Sequence, residues 1–116
     1  MSDNCLFCKI AAQEIPSEKI YEDDHVFVFR DIAPQAPVHV LVIPKQHISS
    51  LDLVTVENRE VMGILMERTA YVARLLNVNE TGYRTIINTN KEGGQVVYHI
   101  HVHILGGRAI GPMVAQ

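Results

Sequence analysis

Half of the six histidines fall within five residues: His99, His101 and His103 alternate with Ile100 and Val102 in YHIHVHILGG, residues 98–107. In an extended strand residues i, i+2 and i+4 share a face, so the three imidazoles project together, with Ile100, Val102 and Ile104 on the opposite face. Same-face neighbours lie ~6.6 Å apart along the strand and the outer pair ~13 Å. With zinc–nitrogen bonds of ~2 Å, three such histidines cannot easily close on one ion. Imidazole chemistry is the better use of them. An imidazole whose one ring nitrogen donates to a fixed acceptor presents a lone pair on the other, and a pKa of ~6.5 keeps that form populated at neutral pH. His101, flanked on both sides, is the natural nucleophile. Covalent attack on phosphorus would leave a labile P–N bond for water to cleave.

Gly93-Gly94-Gln95 precedes this run and Gly106-Gly107-Arg108 follows it. Either Gly-Gly pair alone reads as an ordinary turn. Beside aligned histidines the first reads as a cradle whose main-chain N–H groups face a phosphate. Cys5 and Cys8 form a C-x-x-C. Lys9, Glu14 and Pro16 interrupt the N-terminal stretch before a long apolar run develops, so neither a signal peptide nor a membrane span is expected there. The setting expected is reducing and cytoplasmic, where metal or redox chemistry outranks a structural disulfide.

The chain that must position these groups has 116 residues, enough for one domain spanning 1–116, and 47% of them are hydrophobic, enough for a core. A net charge of −3 with no block of like charge points to neither a nucleic-acid groove nor an anionic membrane. Apolar residues at 6, 7, 10 and 11 predict a short helix that IPS ends. KIYEDD, HVFVFRD and VHVLVIP read as strands, the last bounded by Pro37 and Pro44. From Glu57 to Leu76 the period changes: Val61, Leu65, Val72 and Leu76 share a helical face, with Met62, Met66, Thr69 and Ala73 beside it. GYRTIIN and VYHIHVHIL read as two further strands. The architecture expected is α+β: a five-stranded, mostly antiparallel sheet with one long and one short helix.

HIHVHIL, with YEDD, RDIAPQAPVHVLVIPKQHI, GYR, NTNKEGGQ and VYHIHVHILGGR in order around it, resembles the Hint branch of the histidine-triad superfamily across essentially the whole chain. The resemblance implies a purine nucleoside phosphoramidase acting as a homodimer, with two five-stranded sheets joined into ten strands. It makes His101 the nucleophile, gives His103 the phosphate contact and proton transfer, and has His99 orient the nucleophile, its main-chain carbonyl a reasonable acceptor for the His101 ring proton. His39 matches a fourth active-site histidine. Asp31 matches the acid that accepts both ribose hydroxyls, and Ile32 its neighbour on the nucleoside; without that context Asp31 reads as a turn residue before Pro34. Leu6, Phe7, Ile10, Ile15 and Phe29 fall where the family lines its base pocket, and Asn88, Gly94 and Gln95 match groups on the phosphate side. Val96 stands where many Hint relatives carry a serine. The main-chain N–H survives there and the hydroxyl does not, which puts leaving-group handling in question.

Some histidine-triad proteins with this opening hold zinc through two cysteines and two histidines. The corresponding set is Cys5, Cys8, His47 and His99, suited to a closed tetrahedral structural site; otherwise the pair is two thiols on a short helix. Catalysis itself calls for no cofactor. Two other readings share the sequence: hydrolysis of dinucleoside polyphosphates or nucleotidyl esters, and a nucleotide-binding regulatory module.

Overall fold

Alternation and β-branching lay down the sheet. In the computed structural model, which describes residues 4–114, the strands are β1 (Lys19–Glu22), β2 (Val26–Arg30), β3 (Val38–Pro44), β4 (Tyr83–Ile86) and β5 (Val102–Gly106). They form one sheet in the order β1-β2-β3-β5-β4, each neighbouring pair antiparallel, as expected for the α+β reading. Val26, Val28, Val40, Val42, Val102 and Ile104 pack with Leu65, Val72 and Ala73 of the long helix α2 (Arg59–Leu75). The alternate residues Phe27, Phe29, Leu41 and Ile43 pack with Cys5, Phe7 and Ile10 at the short helix α1 (Leu6–Ala11). One side of the sheet is therefore core, and the other carries the histidines and α1.

The expected helix from Glu57 begins as a 3-10 turn, Val56–Asn58, closed by a capping box. The Thr55 hydroxyl accepts from the Glu57 N–H, and the Asn58 side-chain oxygen accepts from the Thr55 N–H. The buried stripe is Leu65, Thr69, Val72 and Ala73, and Met66 turns outward. Asn77 at φ 62° ends the helix, with the Val78 N–H returning to the Ala73 carbonyl.

The last strand is shorter than its alternation predicts. Val42 pairs with Val102, so the next pair in register on that side would set Pro44 against Ile100. Pro44 has no N–H to give, and the ladder stops. Ile100 instead donates its N–H to the Ile48 carbonyl at 2.7 Å, and the Pro44 carbonyl is taken by the His99 ring at 2.8 Å. This break separates the fate of His99 from that of His101 and His103.

Asp23 ties the β1–β2 turn to α2. Its Oδ1 accepts from the N–H groups of His25 (2.7 Å) and Val26 (3.0 Å), and its Oδ2 from the Tyr21 hydroxyl (2.8 Å) and Arg68 Nε (2.6 Å). Partial burial works against the carboxylate. The bonds from Arg68, His25, Tyr21 and Val26 outweigh it and hold Asp23 well below the usual carboxylate range. A depressed carboxylate contributes stability that is present above the unfolded value and lost as pH falls below it. Asp23→Ala is expected to cost about 3 kcal/mol, read as a lower urea midpoint at pH 7, with the difference shrinking below about pH 4.

Candidate functional site

The antiparallel register builds the site. Leu41 faces His103 and His39 faces Leu105, so His39 and His103 meet diagonally across β3 and β5. Their rings touch, Nε2 of His39 to Nδ1 of His103 at 2.9 Å. The His101 ring lies 5.1 Å from that of His103 and 5.0 Å from Phe7, both edge-to-face. Asp31, just beyond β2, donates its N–H to the His39 carbonyl, which brings its Oδ2 within 3.4 Å of His39 Nε2. Its Oδ1 accepts from the Ala33 N–H at 2.8 Å. The turn reading of Asp31 and its placement beside the histidines thus hold together.

Main-chain partners settle which ring nitrogens carry protons. His101 Nδ1 lies 2.7 Å from the His99 carbonyl, an acceptor only, so Nδ1 bears the proton and Nε2 keeps its lone pair. His39 Nδ1 accepts from the Gln35 N–H at 3.0 Å, so the neutral ring carries its proton on Nε2 and donates it to His103 Nδ1. His103 is left with its proton on Nε2. One lone pair and one N–H are thus set on adjacent rings by two main-chain groups, the His99 carbonyl and the Gln35 N–H. Burial lowers the pKa of His39, with the nearby Asp31 opposing it. Burial likewise lowers that of His101 and takes His103 down to about 4, so all three rings are neutral at pH 7.

The other expected site residues fall into two groups. Phe7, Ile10 and Phe29 are buried together, with Phe7 and Phe29 edge-to-face at 5.4 Å, and Ile15 packs against them. Leu6 is half-exposed on α1, and Ile32 is almost fully exposed beside Asp31. On the glycine loop the N–H groups of Gly94 and Gln95 are engaged internally, with the carbonyls of Lys91 and Asn90. Gln95 is buried and clamps the loop, its amide donating to the Ser49 and Val97 carbonyls while its oxygen accepts from the Asn90 N–H. Asn88 donates to the Gly93 carbonyl, and Val96 is exposed. Gly93 is needed for close approach, since a Cβ there would sit 2.3 Å from the Thr89 carbonyl oxygen, and Gly94 for its φ of +84°. The N–H donors expected to face a phosphate, those of Gly94 and Gln95, bind the loop itself.

A second cluster stands on the same side of the sheet. His99 Nε2 donates to the Pro44 carbonyl, so the lone pair on Nδ1 points towards Cys5 Sγ (3.3 Å), Cys8 Sγ (3.4 Å) and His47 Nδ1 (3.2 Å). Burial puts His99 at about 4, partly offset by the bond to Pro44. Tetrahedral zinc with Zn–N of ~2.0 Å and Zn–S of ~2.3 Å needs donor separations of roughly 3.3–3.8 Å, close to these. The Cys₂His₂ cluster can hold a metal ion. Asp31, His39 and His103 also bring donor atoms within 4.8 Å of one another. That group is a poor metal site, because His39 Nδ1 is bonded to Gln35 and its Nε2 carries the proton.

Residues 12–110 match the HIT domain family. The chain is a HIT-domain protein. Over 116 residues, all of this chain, it is 48% identical to the purine nucleoside phosphoramidase of Escherichia coli strain K12, covering 98% of that protein. The fold of this HIT-domain protein is similar to a HIT family hydrolase from Legionella pneumophila at 46% identity and a TM-score of 0.89, covering 93% of this chain and 100% of that one. A histidine triad protein from Clostridium difficile is similar at 40% identity and a TM-score of 0.92, with 97% of each chain covered.

The groups that sequence reasoning missed are main-chain ones. The Gln35 N–H and the Pro44 carbonyl set the tautomers of His39 and His99, and neither is marked by its side chain. Pro44 alone left a signal, as the residue at which a strand ladder must fail.

Proposed function

We propose that this HIT-domain protein hydrolyses purine nucleoside 5′-phosphoramidates to nucleoside monophosphate and amine through a nucleotidyl-His101 intermediate. The observation that carries the reading is the 2.7 Å bond from His101 Nδ1–H to the His99 carbonyl, which leaves Nε2 as a lone pair beside a ring that donates. His101 Nε2 attacks phosphorus, the P–N bond to the amine breaks, and the carbonyl stabilises the positive charge that develops on the imidazole. The amine must leave protonated, and that proton is assigned to His103 Nε2–H. In the empty site His103 is neutral. A bound anionic phosphate favours the imidazolium, whose second N–H is on Nδ1 facing His39 Nε2, so uptake of the proton with the substrate requires His39 to turn its own N–H to Asp31 Oδ2, 3.4 Å away. Water then attacks phosphorus, His103 recovers the proton, and the bond to His101 breaks. Asp31 is assigned to the ribose hydroxyls, and Leu6, Phe7, Ile10, Ile15, Phe29 and Ile32 to the base. Asn88, Gly94, Gln95 and Val96 form the loop on the phosphate side. The test compares kcat/KM for an adenosine phosphoramidate of an aryl amine with that for a diadenosine polyphosphate. The phosphoramidate should be preferred by a large factor; preference for the polyphosphate would reassign the substrate, and turnover of neither would leave a binding module.

Zinc is the metal proposed for Cys5, Cys8, His47 and His99, where it would supply a structural cross-link and no chemistry on the substrate. Protein purified without chelator or added metal is expected to contain about one zinc per chain by metal analysis. A homodimer is proposed through the long helix over 57–76 and the edge of the last strands, where β4 pairs only with β5 among the described residues and leaves a sheet edge open to a second copy. Sedimentation should give twice the 13.0 kDa chain mass. A cytoplasmic location is also proposed. No helix among the described residues is long and apolar enough to cross a membrane.

A further inference from the structure

His99 belongs to two sites at once. Its ring Nδ1 lies in the sulfur–nitrogen cluster, while its main-chain carbonyl holds the His101 ring. Helix α1 has the same double membership. Cys5 caps it, its Sγ accepting the Cys8 N–H at 3.3 Å, and both cysteines enter the cluster. The residues between them are Leu6 and Phe7, and the Phe7 ring stands edge-on to both His101 (5.0 Å) and His99 (6.2 Å). A helix of six residues has little stability of its own, so whatever clamps Cys5 and Cys8 also fixes Phe7 and, with His99, the nucleophile.

We infer that metal binding at Cys5, Cys8, His47 and His99 and nucleotide binding beside His101 are thermodynamically linked, each tightening the other through His99 and α1. The inference rests on both the nucleotide and the metal readings above. Its sign follows from ordering. Without metal, a nucleotide that packs on Leu6 and Phe7 and contacts His101 must immobilise α1 and the His99 main chain as it binds. With metal, four ligand bonds have already done so, and the nucleotide meets a preorganised wall. Linkage is reciprocal: the factor by which metal raises nucleotide affinity equals the factor by which nucleotide raises metal affinity.

The test needs no turnover. Adenosine 5′-monophosphate is titrated calorimetrically into metal-free and zinc-loaded protein, and zinc is titrated against a chromophoric chelator with and without saturating nucleotide. Both ratios are expected to agree at about tenfold, within the range usual for coupled sites. Cys8→Ser and, should that variant fold poorly, the surface variant His47→Asn are expected to bind the nucleotide with the metal-free affinity whether or not zinc is added. They also correct for zinc held by the nucleotide itself. Equal nucleotide affinity in the two metal states overturns the linkage and leaves the nucleotide reading standing. Absence of nucleotide binding in both states removes the two together.

Discussion

His101→Ala is expected to lower kcat for an adenosine phosphoramidate on the order of 10⁴-fold while leaving nucleoside monophosphate affinity within a few-fold of the parent. The two halves of this prediction come from different atoms. Turnover needs the His101 Nε2 lone pair, which the tautomer fixed by the His99 carbonyl provides. Affinity is assigned to Asp31 and to the apolar wall of Phe7, Ile10 and Phe29, which the substitution leaves in place. The wall does lose one edge-to-face ring contact, Phe7 on His101, and a small loss of affinity is the expected price. A loss that appears mainly in KM would mean that His101 binds and does not attack. His101→Gly should recover part of the rate when imidazole is added, because the ring alone is missing. Acid-labile, alkali-stable label on the parent protein from a phosphorus-labelled substrate identifies the intermediate directly. Retention of a sizeable fraction of turnover by His101→Ala would reduce the histidines to scaffolding.

The sheet was legible because its cause is local. β-Branched apolar runs bounded by turns mark Val26–Arg30 and Val38–Pro44, which are buried on both sides, and α2 follows from the apolar spacing through Leu65, Val72 and Ala73. The end of β5 was not legible from its own residues, since VYHIH has the composition of a strand. What stops it is the residue opposite, Pro44, and register is a property of two segments. The same limit applies at the site. His39, His101 and His103 could be singled out by spacing and resemblance, but the proton positions that make them complementary depend on main-chain groups of Gln35 and His99. The glycine loop shows the converse. Its composition suggests N–H groups aimed at an anion, whereas the Gly94 and Gln95 donors close the loop on itself. Composition announces a tight turn; only the fold says which way its donors point.

Neutral histidines also predict how the protein fails in acid. In the metal-free protein, burial lowers the pKa of His39, His99, His101 and His103 alike, with His99 and His103 at about 4. In the unfolded chain each returns to ~6.5. Between these limits the unfolded state binds more protons than the folded one, so stability rises with pH. The contribution is complete above about pH 6.5 and is lost as pH falls towards 4. A displacement of this size corresponds to on the order of 3 kcal/mol for each of His99 and His103, a large share of the ~5–15 kcal/mol that stabilises an ordinary domain. The urea midpoint of metal-free protein, at one fixed concentration, should therefore fall steeply from pH 7 to pH 4.5, well before Asp23 begins to titrate. His103→Asn should flatten the curve by removing one of the steeper contributions. Zinc should steepen it, because its ligands must be deprotonated and protons compete for the same lone pairs. A midpoint constant from pH 7 to 4.5 would show that these rings accept protons as readily folded as unfolded, and burial would not be what holds His101 and His103 neutral.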